Sequence, residues 1–559
     1  MKITGAQLIV KKLAEHGVKT VFEFPGGSIC PILDELSRHS KIKTVVTRHE
    51  QAAIHAADSI SRITKNTSVC MATSGPGASN LVTGIANAYM DSVPLVIITG
   101  QVSEWDLKKD SNVRQRGFQE LDIVSVCSTI TKKSYLVSKL SDLPQILDEA
   151  FFIAQDSRPG PVLIDIPMNL QYTSFDLSPK KIVFKHEKLV CSDETVEEVV
   201  KKLIISKKPL VIVGRGVILS CAEDLLLKVL KKYRFPVVQT LLGISALPNN
   251  YDFNLGMVGY AGSRVTHSVV KEADFILGLG LRFDNRAFPD ANEDFSKDCY
   301  IVHVDCDKAE LNHRVLVNKA ILSDVKEFLK LLSEKLAKSK YLTPDLWLGQ
   351  IQKWQKIFKE DKESKNRMHP RYILTRLSEM LQDKKFIITT DVGQHQLWTA
   401  QYFKFNKPNT LVTSGGLGTM GFGLPAAIGA KIVKPESEVI NITSDGSFQM
   451  NIQELATIKE YELPIKIVLL NNRCLGLVRQ IQEFAFCKRY ESTRVNSNVD
   501  FVNILKGYGI DAFSVTRSSQ VDSALKRIVQ AKEPLLVDFR INEFENVFPV
   551  RIKGKVLYK

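Results

Sequence analysis

Along most of the chain, runs of about four to eight apolar residues alternate with longer stretches whose apolar positions recur every three or four residues. The short runs are rich in Val, Ile and Leu and end on Gly, Ser, Thr or Asp, a pattern that predicts buried strands; the longer stretches predict amphipathic helices. The alternation predicts α/β architecture, with helices covering both faces of parallel sheets. Three such segments stand apart. The first, 1–175, carries TVFEF, KTVVT, SVCMATS, LVIITG and PVLIDIP. After a polar, weakly patterned stretch, the second, 190–337, carries KKPLVIVGRG, FPVVQT, ADFILGLG and YIVHVD. The charged segment KSKYLTPDLWLGQIQKWQKIFKEDKESKNRMHP predicts a helical linker to the third, 368–545, which carries FIITTD, TLVTS, EVINITSD, IKIVLLNN and PLLVDFR. The expected fold class is α/β, with three doubly wound parallel-sheet domains. The opening residues MKITGAQLIVKKLAEHG predict an amphipathic helix leading into the first of them.

The stretch EVINITSDGSFQMNIQELATIKEYELPIKIVLLNNRCLG, residues 438–476, gives the strand ends a chemical meaning. EVINITSD and IKIVLLNN read as two strands, with NIQELATIKEY as the helix between them. In such a βαβ unit the strands are parallel, so Asp445 and Asn472 emerge at the same carboxyl edge; on neighbouring strands their side chains start about 5 Å apart. Open α/β sheets bind ligands at that edge, and a carboxylate converging with an amide oxygen suits a hard divalent cation such as Mg²⁺. Gly446 and Ser447 open the next helix, whose amides would face a phosphate group. Taken singly, Asp445 reads as a helix cap and Asn472 as a turn residue; the pair on one unit is the more specific signal.

Other loops follow strands in the same way. DVGQHQLW places Gly393, Gln394 and His395 after FIITT, and SGGLGTMGFGLPAAIGA allows close backbone approach around Gly418 and Met420. In the first segment, Pro25-Gly26-Gly27 follows TVFEF, and SGPGASN forms a Gly-rich loop before a helix; both also read as plain turns. In TRHEQAAIHAADSISR, Thr47-x-x-Glu50 fits a capping box. The second segment carries GRG at 214–216, LGMVGYAGSR, GLGLRFDNR and VHVDCDKAEL, where a lone GxG says little about a dinucleotide.

Composition narrows the function classes. A length of 559 residues suggests three or four domains, and 44% apolar with 24% charged residues is ordinary for a soluble globular protein. No apolar run reaches the roughly 18 residues a membrane span needs, and no signal-peptide pattern is present, so a cytoplasmic protein without a membrane partner is expected. The nine cysteines show no CxxC and no metal spacing, and are expected to be reduced. The net charge of +14 raises the question of nucleic acid, but Lys and Arg are spread along the whole length and no recognition motif appears; no nucleic-acid partner is expected.

The DG-x24-NN pattern closed by Asp445-Gly446 and Asn471-Asn472 looks like the thiamine diphosphate (ThDP) motif, with Ser444 in place of its usual first Gly. Over nearly its whole length the chain resembles the acetolactate synthase catalytic subunits of that superfamily. The resemblance implies that an N-terminal domain binds the cofactor's pyrimidine, a central domain resembles FAD-binding ones, and a C-terminal domain binds diphosphate and Mg²⁺. It implies Asp445, Asn472 and a backbone carbonyl at Cys474 as metal ligands, with Gly393, Gln394, His395, Gly446 and Ser447 beside the diphosphate. Gly418 and Met420 match positions that hold the cofactor's two rings in a folded shape. RHE-x-x-A places Glu50 as the glutamate that bonds N1′ of the aminopyrimidine, a task for a buried carboxyl that shares a proton. Gly27 and Gln119, the latter in the motif FQE, match residues near the reacting centre. Lys132 matches a family lysine, although a solvated lysine reads equally well. For FAD, the matching contacts are Gly214, Met257, Gly280, Arg282, Arg286, Asp305 and Asp324, with Val258 and Asn285 departing from the family's GMHG and RFDDR.

The implied activity is decarboxylation of pyruvate and ligation of the remaining two-carbon unit to a second 2-oxo acid, giving a 2-acetolactate-type product and CO₂. Arg286 matches an arginine that pairs with the acceptor's carboxylate, or else supports the flavin. Two features leave the acceptor open. Ile481 stands where the family has a tryptophan, and the basic loop WDLKKDSNVRQRG before FQE is longer than usual. Transfer to another ketone, such as a nucleotide-linked keto sugar, is therefore an alternative, as is a 2-oxo acid decarboxylase or oxidase. The family's half-sites meet between subunits, so a homodimer or homotetramer is expected, with a regulatory subunit as a further partner.

Overall fold

The apolar runs become strands because their side chains are covered on both faces, as a parallel sheet flanked by helices requires. The computed structural model describes residues 2–108, 112–176, 184–187, 189–289, 294–358, 366–495, 498–552 and 555–558. Eighteen strands build three six-stranded, wholly parallel sheets. The N-terminal sheet contains β1 (Thr20–Phe24), β2 (Lys43–Val46), β3 (Ser68–Ala72), β4 (Leu95–Gln101), β5 (Lys133–Leu136) and β6 (Pro161–Pro167), in the order β2-β1-β3-β4-β6-β5. The central sheet contains β7 (Pro209–Val213), β8 (Val237–Gln239), β9 (Asn254–Met257), β10 (Phe275–Leu279), β11 (Tyr300–Asp305) and β12 (Lys319–Leu322), in the order β9-β8-β7-β10-β11-β12. The C-terminal sheet contains β13 (Phe386–Thr390), β14 (Leu411–Thr413), β15 (Glu438–Ser444), β16 (Lys466–Asn471), β17 (Asp511–Val515) and β18 (Leu535–Arg540), in the order β14-β13-β15-β16-β18-β17.

The first and third sheets thus share one topology, whereas the central sheet has the dinucleotide-fold order 3-2-1-4-5-6. In each sheet the chain winds one way and then the other, leaving a crevice at the carboxyl ends of the strands where it reverses. That crevice lies between β1 and β3, between β7 and β10, and between β13 and β15. The loops that open into these three crevices start at Pro25 and Thr73, at Gly214 and Gly280, and at Asp391 and Asp445.

Helix α1 (Glu50–Thr64) of the N-terminal domain packs along α3 (Gly423–Val433) of the C-terminal domain; α2 (Gln394–Tyr402) follows β13. The α1–α3 approach is close enough that a Cβ on Gly429 would lie 2.1 Å from the Ala56 carbonyl oxygen. One apolar core runs through this contact, from Phe22 and Ala53 to Phe422 and Ile428. At its edge Arg62, fully buried, pairs with Asp58 and Asp91 and donates to the Thr413 carbonyl (2.9 Å).

Three local readings change. The opening residues form a strand, Lys2–Thr4, paired antiparallel with Ser174–Asp176, before the helix Gly5–Glu15 begins under a Thr4/Gln7 capping box. The stretch 451–461 is not one helix. Helix α4 (Asp445–Gln449) ends early, a 3₁₀ turn covers Ile452–Glu454, and a short helix covers Leu455–Glu460. The break falls where the buried Asn451 amide donates to the Gly421 carbonyl (2.8 Å), a tertiary bond that a continuous helix would forfeit. Lys132 is not a solvated lysine. Its ammonium donates to the Ile153 and Asp156 carbonyls (2.6 Å each), closing the C-terminus of helix Leu143–Gln155, and burial lowers its pKa. The charged linker contains the helix Asp345–Ile357; its residues 359–365 lie outside the described residues.

Candidate active site

The C-terminal crevice gathers the residues of the DG…NN reading. Ser444 pairs with Leu470 across β15 and β16, so Asp445 and Asn472 leave adjacent strands at one edge. Both are buried. The Asn472 amide group donates to Gln394 Oε1 (3.1 Å), while its Oδ1 accepts the Cys474 N–H (3.3 Å). This fixes which end of the amide presents oxygen. The Cys474 thiol is pushed up to about 11 by burial and stays neutral, so Cys474 offers its main-chain carbonyl rather than a thiolate. Among the described residues no group of three His, Cys, Asp or Glu side chains converges. A carboxylate, an amide oxygen and a main-chain carbonyl are all hard donors, a chemistry that fits Mg²⁺.

Beside this edge lies a cavity of about 110 Å³ lined by Gly393, Gln394, His395, Met420, Asn472 and Cys474, among others. His395 is buried, with Nε2 2.6 Å from Asp391 Oδ1, and its Nδ1 has no partner among the described residues. Gly393 is held against this ring: a Cβ there would lie 2.4 Å from Nδ1. A buried ring nitrogen left open beside a main-chain loop is a polar group that a phosphate could engage. Gln394 is anchored by Gln480 and the Glu545 carbonyl, so its side chain orients Asn472 rather than reaching outward. Ser447 donates to the Val392 carbonyl (3.2 Å). A Cβ at Gly446 would meet Leu475 at 2.9 Å and the Met420 methyl at 3.6 Å, so glycine preserves the space between these two walls.

The N-terminal crevice holds a second group. Glu50 is the first residue of α1 and buried. It is not a cap. Thr47 Oγ1 donates to the Glu23 and His49 carbonyls, and His49 Nδ1 accepts the Gln51 N–H (3.1 Å) as the actual N-cap. The Glu50 carboxyl is therefore left for other work. Asn80 donates to its Oε2 (2.9 Å), and its Oε1 lies 3.2 Å from where a Gly77 Cβ would be. Gly75 in turn packs on the Gln119 main chain, with Gln119 at φ +63°, and Gly26 packs on Thr73. Gly27 faces open space. Glu50, Gly75–Gly77, Gln119 and the 25–27 turn thus form one cluster, yet none of these residues lines the 110 Å³ cavity. The loop before Gln119 is folded back by the Glu120 carboxylate, which accepts the Lys108 and Arg116 N–H groups (2.6 and 2.7 Å); residues 109–111 of this basic loop lie outside the described residues. Ile481 sits partly exposed on α5 (Gly476–Ala485).

The central crevice opens into a cavity of about 580 Å³, a size that suits a nucleotide cofactor, walled by all three domains. Met257, Gly280, Arg282, Arg286, Asp305 and Asp324 line it; Gly214 stands behind, its Cα packed against the Gly280 carbonyl. Asp324 also caps the helix Val325–Ala337, accepting the Lys326 and Glu327 N–H groups. Arg286 is exposed at the wall, its guanidinium 4.5 Å from the Tyr260 ring centre. Of the two departures from GMHG and RFDDR, Val258 supplies apolar wall and Asn285 is exposed. Sequence reasoning missed Arg215, the middle residue of GRG. It is buried and lines the cavity, its Nε has no partner among the described residues, and burial beside Arg62 lowers its pKa only to about 10. A cation next to two glycines suits a phosphate, and these observations together fit FAD. The loop Gly415–Gly418 lines this cavity while Met420 lines the smaller one, so a single loop separates the two; Asp91 holds it by accepting the Gly415 and Gly416 N–H groups (3.0 and 2.6 Å).

Burial raises the Asp305 carboxyl to about 6 from an ordinary 3.8. Its neutral form is favoured in the folded chain, so its contribution to stability is fully present below pH ~4 and is lost as pH rises through 6. The rise corresponds to about 3 kcal/mol. Asp305→Asn is expected to raise the Tm of the cofactor-free chain at pH 8 and to leave it nearly unchanged at pH 4.5, read by differential scanning fluorimetry.

Comparison with known proteins agrees with this geometry. Residues 3–126, 196–332 and 391–539 match the N-terminal TPP binding domain, the central domain and the C-terminal TPP binding domain of thiamine pyrophosphate enzymes. The chain is 39% identical to the acetolactate synthase isozyme 2 large subunit of Escherichia coli K12, covering 98% of this chain and 97% of that one. It is 40% identical to the acetolactate synthase large subunit of Cyanidium caldarium (99% and 95% covered) and 38% identical to that of Lactococcus lactis (98% and 94%). The chain is a thiamine pyrophosphate-dependent enzyme and belongs to the family of acetolactate synthase large subunits. The names of these relatives do not favour the keto-sugar or oxidase alternatives.

Proposed function

We propose that the protein joins two molecules of pyruvate, or pyruvate and another 2-oxo acid, with loss of CO₂. The observation that carries this reading is Glu50, buried at a helix start, released from capping and held by Asn80 over Gly77. Asp445, Asn472 and the Cys474 carbonyl would hold Mg²⁺, with Gly393, His395, Gly446 and Ser447 around the diphosphate of ThDP and Gly418 and Met420 beside its rings. When bound, ThDP supplies a carbon nucleophile and an electron sink for decarboxylation. Glu50 would hold the proton at N1′ of the aminopyrimidine, and Asn80 fixes the carboxyl for that exchange. Gly27 and Gln119 would border the substrate. Gly214, Arg215, Gly280, Arg282, Asp305 and Asp324 would hold FAD.

Each chain carries two half-sites, and the residues of one do not line the cavity of the other. This supports a homodimer, or a homotetramer of such dimers, with sites completed between subunits. The relatives' designation as large subunits supports a smaller regulatory partner. Domain limits of 1–175, 190–337 and 368–545 enclose the three sheets. Among the described residues no helix is long and apolar enough to cross a membrane; a cytoplasmic location is proposed.

The test is a proton NMR time course with pyruvate, ThDP, Mg²⁺ and FAD. Acetolactate signals are expected, and untouched pyruvate would overturn the reading. Arg286, exposed at the cavity wall, is proposed to pair with the acceptor's carboxylate. Arg286→Ala should raise the apparent KM for the acceptor about tenfold, the loss of one charge-assisted pair. An unchanged KM would remove that role.

A further inference from the structure

The turn that carries Glu50 is tied to the opposite domain. Between Val46 and His49, the Val46 N–H donates to the Tyr461 hydroxyl (2.9 Å) and the Arg48 N–H to Glu454 Oε1 (2.9 Å). The His49 N–H also bonds the Glu454 carboxyl, and the Arg48 guanidinium pairs with Glu460. All these acceptors lie within 454–461 of the C-terminal domain. Glu454 is fully buried, and the Thr457 hydroxyl donates to its Oε2 (2.7 Å), so both carboxyl oxygens are oriented. Upstream, Asn451 is fixed to the Gly421 carbonyl, and the same segment begins at Asp445.

We propose that Glu454 is a positioning residue for Glu50: by accepting the main-chain N–H groups of Arg48 and His49, it sets where α1 starts and hence where the Glu50 carboxyl stands. The inference rests on the role given to Glu50 above. The first N–H groups of a helix, and those just before it, have no intrahelical acceptor, so whatever accepts them fixes the turn. His49 Nδ1 takes one of them, and Glu454 takes the two upstream. With Glu454 gone, these half-buried donors lose their acceptor and the turn reorganises to find another. Glu50 is the next residue along the chain and moves with it.

Glu454→Ala and Glu454→Gln separate position from charge. The amide of Gln keeps an oxygen for Arg48 and His49 and can donate to the Thr457 hydroxyl, so the turn is retained. For Glu454→Ala, kcat with pyruvate is expected to fall at least about tenfold with KM changed less than about threefold, since a small displacement of a proton-transfer group lowers the rate without touching substrate binding. In the same variant without cofactor, hydrogen exchange at the Arg48 and His49 amides, followed by mass spectrometry, should accelerate at least about tenfold. Glu454→Gln should restore both readings to within about threefold of the parent. The inference is overturned if exchange accelerates while kcat holds, if exchange at these amides is unchanged, or if Gln lowers kcat as far as Ala does. If Glu454→Ala is not recovered folded, Tyr461→Phe removes the acceptor of Val46 in the same turn. It should lower kcat with KM preserved, and an unchanged kcat would overturn the inference. Glu50→Gln measured in parallel keeps the failures distinct: full activity there defeats the role of Glu50 itself, whereas the exchange result stands independently of it.

Discussion

Glu50→Gln is expected to lower pyruvate consumption by about 10²–10⁴-fold, the usual worth of a positioned proton-transfer group, with the fold intact. The amide has the size of the carboxyl, so it fits over Gly77 without disturbing the loop. Its oxygen still accepts from Asn80, so that side-chain hydrogen bond survives. His49, not Glu50, caps α1, so the cap is kept and only the weak attraction of a first-turn carboxylate to the helix dipole is lost. What disappears is the ability to take up and return a proton. Proton NMR of pyruvate and acetolactate measures the rate, and thermal unfolding measures the fold. A variant within about threefold of the parent rate would remove Glu50 from the chemistry.

Asp445→Ala is expected to weaken Mg²⁺-dependent ThDP binding at least about 100-fold, because it removes the only carboxylate proposed for the metal. Asn472→Ala should act in the same direction, and it also frees Gln394 from one of its partners. Asp445 sits at the end of β15, outside the hydrogen-bonded ladder, so its loss leaves the β15–β16 pairing in place. Isothermal titration calorimetry with ThDP, with and without Mg²⁺, reads the effect. Equal affinity in both conditions for parent and variant would eliminate the metal assignment.

The strands legible in the pattern are those whose residues are almost all buried, such as β3, β4, β6, β7, β10 and β16. The strands that do not stand out are β5, β9, β12 and β17, and every one lies at a sheet edge. Half-exposed, they mix polar with apolar residues, so periodicity alone does not separate them from loops. The broken helix after Asp445 was hidden for another reason. Its residues are good helix formers, and only the Asn451 bond to a loop thirty residues upstream ends the first turn. The Thr47-x-x-Glu50 capping box was a valid local pattern that lost to tertiary partners.

Motif residues were readable because each sits at a strand end, where spacing fixes the edge from which a side chain leaves. Thus Asp445 and Asn472 could be read from spacing, whereas Gly393–His395, Gly214, Gly280 and Glu50 were singled out through the resemblance. Arg215, Asp91, Asn80 and Glu454 were not, since their significance arises from contacts with residues tens to hundreds of positions away. By itself the sequence determined the parallel sheets, their domains and the chemistry available at the strand ends, because burial pattern and chain direction are local properties. Only the tertiary structure decided which polar groups are already satisfied by neighbours and which are left open. A hydrogen bond between distant residues leaves no periodic trace in the chain.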